Sequence, residues 1–166
     1  MARLSWDEHW LKIAEVVSER STCLRRHFGA VIVKGHRQVP VGYNGSARGT
    51  ANCCDIGWCL KDKYGIKEGG GYDKCRAGPL HAELNAIINA TREGINIFGS
   101  TMYISGSNAD GRETAAYPCK GCQKSIINAG IEKIVARTNK ETEKLFTSEW
   151  IKEAHETEDK DISGYY

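Results

Sequence analysis

A chain of 166 residues, 40% hydrophobic and 27% charged, has the make-up of a soluble globular protein with enough core for one domain. A formal net charge of only +2 sets aside a protein built mainly to grip a long polyanion, and no apolar run approaches the length of a membrane span. The opening MARLSWDEHW lacks the apolar core of a signal peptide, so the expected compartment is the cytoplasm; seven cysteines there read as metal ligands or ordinary thiols rather than disulfides.

Ser5 followed by Glu8 is a capping-box pattern, and Trp6, Trp10, Ile13, Ala14 and Val17 then share one face of a helix expected over 6–20. GAVIV (29–33) and VPVGYN (39–44), separated by KGHRQ, read as a β-hairpin, with Pro40 placing its second strand at a sheet edge. Residues 45–79 hold four of the seven cysteines and much glycine, and so long an irregular segment in a small domain needs something to organise it. LHAELNAIINATREG reads as a helix with Leu84, Ile87 and Ile88 inward, closed by Gly94. A strand is expected over 100–105, a helix from Pro118 to Gly130, a strand over 133–136 and a last helix over 140–156. Helix and strand alternate, which predicts an α/β sandwich with a mixed sheet, a single domain carrying a Cys/Gly-rich insert at about 45–79.

Two short stretches carry chemistry: HAE at 81–83 and PCKGC at 118–122. Cys119 and Cys122, three apart at a helix start, put both sulfurs on one face, where free N–H groups and the positive dipole end favour thiolate. His81 opens the other helix, and side by side the two helix starts can face a common point. Two thiolates and an imidazole suit zinc, and three protein ligands leave the fourth tetrahedral position open, as catalytic sites require. Two thiolates also cancel the metal's formal charge, so a base is useful, and Glu83 is placed to be one. A lone CxxC also suits a redox pair or half a structural site; the two motifs together, in this order, point to catalysis.

H-x-E followed by P-C-x-x-C resembles the signature of the zinc nucleobase deaminases. With RSTCLRRHFGAVIV, VGYNGSARG, HAELNAI, TMYIS and PCKGCQKSIINAGIEKIV, the chain resembles the deoxycytidylate (dCMP) deaminases, including phage-type ones, over most of 20–136. The resemblance implies a three-layer α/β/α cytidine-deaminase-like sandwich with a five-stranded mixed sheet, and the reaction dCMP + H₂O → dUMP + NH₃. It implies Glu83 as proton shuttle, with Asn44, Ala82 and Tyr103 at the substrate. It further implies a homohexamer activated by dCTP with Mg²⁺ and inhibited by dTTP, with no nucleic-acid or membrane partner. Ala47 stands where the family pattern often has proline.

The residues of GYNGSARG suit a nucleotide: Asn44 offers an amide for a deoxyribose, and Tyr43 and Gly45 flank it. Arg25, Arg26 and Arg48 are candidates for phosphate or effector contacts, or solvated charges at a hairpin exit. Asn85 resembles a motif position near bound nucleotide; Arg92, two turns on, serves a neighbouring subunit, an effector or the surface. Of the other cysteines, Cys23, Cys53 (or Cys54), Cys59 and Cys75 would make a second, structural zinc site that organises the insert, as in phage-type relatives; the alternative is free thiols. Rival functions are a tRNA adenosine deaminase, a bifunctional dCMP/dCTP deaminase and, outside enzymes, a structural zinc-binding module. A low net charge and a long segment between GYN and HAE weigh against the first, and Glu83 against the last.

Overall fold

Ser5 closes the start of helix α1 (Trp6–Ser18), its hydroxyl accepting the Glu8 N–H at 3.2 Å in the computed structural model of the chain. The structure describes residues 3–67, 70, 75–76, 80–138 and 141–161. The second half of a capping box is replaced by an ion pair: Glu8 turns to Arg137, 2.9 Å away. Trp10, Leu11 and Ala14 enter the core as the periodicity predicts, while Trp6 is 48% exposed, stacked on Trp10.

Strands β1 (Arg26–Lys34) and β2 (Arg37–Tyr43) form the expected antiparallel hairpin, turned by Gly35 (φ 56°) and His36 (φ 61°). Positive φ at both residues matches the twist of the flanking strands. Strand β3 (Thr101–Asn108) runs antiparallel to β1, β4 (Lys133–Thr138) parallel to β3, and β5 (Glu141–Phe146) antiparallel to β4. The order is β2-β1-β3-β4-β5, a five-stranded mixed sheet with Pro40 in an edge strand, where a missing N–H costs no ladder bond.

β5 corrects the expectation of one helix over 140–156. Residues 141–146 pair with β4 throughout, and helix α6 (Thr147–Asp161) starts only after them. Glu, Lys and Leu favour helix locally, but the outer edge of β4 needs hydrogen-bond partners, and pairing prevails. Leu145 repays it by packing on the core.

The sheet separates two apolar layers. Val31, Val33, Tyr103 and Val135 face α1, whereas Ala30, Ile32, Met102, Ile104 and Ile134 face α4 (Ala82–Arg92) and α5 (Lys120–Asn128), with Trp150 of α6 at their flank. This is a three-layer α/β/α sandwich. In the insert, α2 (Cys53–Ile56) and α3 (Leu60–Lys63) are single turns. Among the described residues no helix is long and apolar enough to cross a membrane.

Of Leu84, Ile87 and Ile88, expected inward on α4, Ile87 does pack against the core, but the fully buried stripe is alanine. Ala82, Ala86 and Ala90 are fully buried, and Ile88 is 37% exposed. The reason is close approach: a Cβ on Gly42 of β2 would overlap the main-chain Ala82 O and Ala86 N. Only small side chains let a helix sit so near a strand. Gly42→Ala is therefore expected to push α4 off the sheet and cost about 1–3 kcal/mol, read as a lower denaturant midpoint. An unchanged midpoint would mean that the helix is not seated so tightly.

Candidate active site

His81 and Cys119 hold equivalent places on two helices. Each is the N-cap of its helix, α4 and α5, with extended backbone (φ −72°, ψ 164° and φ −66°, ψ 164°), and neither side chain caps its own helix. The side chains point instead at each other, because both helices lie on one face of the sheet with their starts converging. Nδ1 of His81 is 3.5 Å from Sγ of Cys119 and 3.4 Å from Sγ of Cys122. All three ligand atoms lie within 4.8 Å of one another. The nitrogen-to-sulfur edge of a tetrahedral zinc site is about 3.6 Å from ordinary bond lengths, so the set fits zinc with little adjustment.

The electrostatics favour a cation there. Burial pushes the Cys122 thiol well above its ordinary range, and the Glu83 carboxylate and Cys119 push it further. Two thiolates beside a carboxylate repel one another, and a dication is what lets them coexist. Glu83, in the first turn of α4, is only 5% exposed. Burial raises its carboxyl pKa, opposed by its own backbone N–H, by His81 and by the Cys122 thiol.

These groups open on a cavity of about 310 Å³, lined among others by Arg25, Arg26, Asn44, His81, Glu83 and Cys119. Asn44 is 7% exposed, and its amide already continues the hairpin: Phe28 N–H donates to Oδ1 at 2.7 Å and Nδ2 donates to Arg26 O at 2.9 Å. One Nδ2 hydrogen is left for a ligand. Arg25 pairs with Asp62 at 3.4 Å.

Other expected residues lie elsewhere. Tyr103 is a correction: it faces α1, on the other side of the sheet, where its hydroxyl donates to Asp7 at 3.0 Å. Strand alternation sends its neighbour Ile104 to the cavity instead. Ala82 is fully buried under β2, next to His81. Tyr43, Gly45, Arg48 and Asn85 gather at the seam between β2 and α4. There Asn85 Nδ2 donates to Tyr43 O at 2.8 Å, Arg48 to Asn89 Oδ1 at 2.7 Å, and Gly45 N–H to Leu80 O at 3.5 Å. Arg92 is exposed at the far end of α4.

The cysteines of the insert also converge. Cys53 is buried, and burial with the nearby thiols of Cys59, Cys23 and Cys75 pushes its pKa up to about 11, while Arg76 opposes this. All four line the same cavity as Glu83. Cys54 is exposed, its thiol 3.6 Å from Asp55, so Cys53 is the member turned toward the others. Among the described residues, His81, Cys119 and Cys122 form the group whose ligand atoms all lie within 4.8 Å of one another. Sequence reading missed Lys61, Ser46 and Ile104 at the cavity; only the strand parity of TMYIS pointed to the last.

An α/β/α sandwich in which two helix starts bring together a His/Cys/Cys cluster and a buried carboxylate beside one cavity is the frame of a zinc-dependent hydrolase. Residues 4–138 match the family profile described as the cytidine and deoxycytidylate deaminase zinc-binding region. The deoxycytidylate deaminase of Enterobacteria phage T4 is 38% identical over 152 aligned positions, covering 75% of this chain and 74% of that one. ComE operon protein 2 of Bacillus subtilis is 35% identical over 134 residues, 81% of this chain, which spans 60% of its length. Among solved structures, the dCMP deaminase of cyanophage S-TIM5 in complex with dCMP and dUMP superposes with a TM-score of 0.56 at 27% identity, covering 81% of this chain and 82% of that one. The chain belongs to the cytidine and deoxycytidylate deaminase family, and its fold is the cytidine-deaminase sandwich.

Proposed function

We propose that this chain, as one domain with a cysteine-rich insert, hydrolyses dCMP to dUMP and ammonia in the cytoplasm. The observation that carries the reading is Glu83: a carboxylate 5% exposed, beside a zinc-fitting His81/Cys119/Cys122 cluster, lining a cavity that Arg25 and Arg26 also line. Relatives named deoxycytidylate deaminases and a relative solved with dCMP and dUMP support the substrate.

His81, Cys119 and Cys122 would hold the metal. Bound zinc supplies the Lewis acidity that makes water nucleophilic near neutral pH. Glu83 accepts that water's proton and delivers it to the ring nitrogen next to the amino-bearing carbon. The water's oxygen would bond to the amino-bearing carbon as its first proton leaves. Glu83 would then take the remaining hydroxyl proton and pass it to the amino group as the C–N bond breaks, so that ammonia departs and a carbonyl is left on the ring. Its burial keeps bulk water from competing for these protons. Ala82, the first residue of α4, would donate its helix-start N–H to the base. Asn44 orients the deoxyribose with its remaining amide hydrogen, and Arg25 and Arg26 attract the phosphate.

Cys23, Cys53, Cys59 and Cys75, which line one cavity and raise the Cys53 pKa together, take a second zinc that fastens the insert. Tyr43, Gly45, Arg48, Asn85 and Arg92 belong to a separate effector surface along β2 and α4, where dCTP with Mg²⁺ activates and dTTP inhibits in a homohexamer.

The test is ammonia release from zinc-loaded protein offered dCMP, CMP, dCTP or a tRNA anticodon stem-loop, with dCTP or dTTP added to each. Turnover of dCMP, raised by dCTP and lowered by dTTP, is the expected result. Turnover of dCTP itself makes the enzyme bifunctional. Activity on the stem-loop alone overturns the substrate.

A further inference from the structure

Residues 114–119, between β3 and α5, form neither helix nor strand, yet Ala115, Ala116 and Tyr117 line the catalytic cavity and Cys119 follows directly. Backbone without a ladder keeps one position only where individual bonds fix it. The Thr114 N–H donates back to Gly106 O of β3 at 3.1 Å, and beyond it the ties run to β4 and β5. The Ala116 N–H donates to the Arg137 carbonyl at 2.9 Å, Glu113 Oε1 lies 3.3 Å from Arg137 Nε, and the Tyr117 hydroxyl bonds the Glu143 side chain. Arg137 thus holds this strap twice, once by main chain and once by side chain. Its guanidinium also faces the other way: Nη1 and Nη2 donate to Glu8 of α1 at 3.2 and 2.9 Å. Strand alternation puts Arg137 with Val135 on the α1 side of the sheet, opposite to the metal cluster.

We propose that Arg137 is a positioning residue: by holding Glu113 and Ala116 it sets residues 115–117 as the wall against which the substrate binds. The inference rests on the dCMP reading and adds to it a group that touches neither substrate nor metal. A guanidinium suits the task, because its planar fork serves two carboxylates at once from fixed directions, which an ammonium does not. The Arg137 side chain is 16% exposed, so both pairs are screened less than pairs on the open surface. The rival role is simply to fasten α1 to the sheet. The start of α1 has its own tie there, since Asp7 meets Lys144 at 2.8 Å and accepts the Tyr103 hydroxyl at 3.0 Å. What Arg137 adds is the link from that layer to the cavity wall.

Glu113→Ala, Glu8→Ala, Arg137→Met and the Glu113→Ala/Arg137→Met double variant are compared with wild type as full zinc-loaded chains. Steady-state kcat and KM for dCMP are measured, with zinc content, denaturant midpoint and amide hydrogen exchange at Ala115 and Ala116. Glu113→Ala is expected to raise KM about 3–10-fold and to keep kcat within about twofold, because a loosened wall weakens substrate and transition state alike. Exchange at Ala116 speeds up in the same variant, while zinc and midpoint hold. Arg137→Met gives a like rise in KM with a lower midpoint, and the double variant raises KM no further, since both changes cut one link. Glu8→Ala lowers the midpoint and leaves KM at the wild-type value. Glu113 is exposed, so its variant carries the test even if Arg137→Met fails to fold. An unchanged KM in Glu113→Ala overturns the proposal. So does full additivity in the double variant, or an equal rise of KM in Glu8→Ala, either of which returns Arg137 to fastening the fold. If exchange at Ala116 speeds up in Glu113→Ala while wild type releases no ammonia from dCMP, the held wall stands and the deaminase reading falls. If exchange there is unchanged, the proposal falls whatever the activity.

Discussion

Deamination by the Glu83→Gln protein is expected to fall by about 10²–10⁴-fold, with zinc retained and the melting temperature nearly unchanged. The range is what a positioned proton-transfer group contributes, equivalent to about 3–5 kcal/mol of barrier. Glutamine keeps the size and planar shape of the side chain but can neither take water's proton nor return it to the ring. The metal has no reason to leave, since His81, Cys119 and Cys122 are untouched and hold the cluster from two separate helix starts. Stability is pulled both ways. A carboxylate in the first turn of α4 gains from the helix dipole by less than about 1 kcal/mol, while burying its charge costs more than that and is offset only by a cation beside it. The loss should appear in kcat rather than in KM, because the proton moves only on the way to the transition state. Ammonia release and elemental zinc analysis on the same sample decide the matter. Turnover within a few-fold of wild type would remove Glu83 from the mechanism, and loss of zinc would make it a structural residue.

The metal cluster was legible because its information is local. His81 and Cys119 each sit at a helix start that Ala82–Arg92 and Lys120–Asn128 specify by their own periodicity, and Cys122 follows by helical spacing. Only the convergence of the two helices is a tertiary fact, and the alternating order of elements already implied it. β5 was not legible, since ETEKLF has the residues of an exposed helix and becomes a strand only because β4 offers an unpaired edge. Tyr103 illustrates a parity error: the strand was found, but which of Tyr103 and Ile104 faces the helices of the site depends on which face those helices cover. The alanine stripe of α4 was hidden for a related reason. Hydropathy ranks Leu84, Ile87 and Ile88 above Ala82, Ala86 and Ala90, and Ile87 does pack on the core, but the close approach of Gly42 to Ala82 and Ala86 leaves small side chains on that face. Lys61 and Ser46 are the least local of all. They line one cavity only once the described part of the insert packs on residues 22–25, and nothing in KDKYG or GSARG marks that contact.

Cys122→Ser is expected to release the catalytic zinc and to destabilise the chain together with activity. Cys122 is 4% exposed at the third position of α5, its sulfur 3.4 Å from Nδ1 of His81. A serine hydroxyl is a hard, neutral donor and a poor substitute for a thiolate on zinc, so two ligands remain where three are needed. The stability lost is the part that metal binding supplied: about 4 kcal/mol when free zinc stands a thousandfold above its dissociation constant. The thiol that leaves was also held above its ordinary pKa by burial, Glu83 and Cys119, so the zinc-free variant escapes some repulsion and the net fall is smaller. Cys54→Ser gives the contrast, because that thiol is exposed and turned away from the other sulfurs of the insert. Zinc per chain, denaturant midpoint and ammonia release are measured for both. Cys122→Ser should lose one equivalent of zinc and all measurable turnover, and Cys54→Ser neither. A Cys122→Ser protein that kept its zinc would show that His81 and Cys119 hold the metal with some other partner, and the three-ligand site would have to be redrawn.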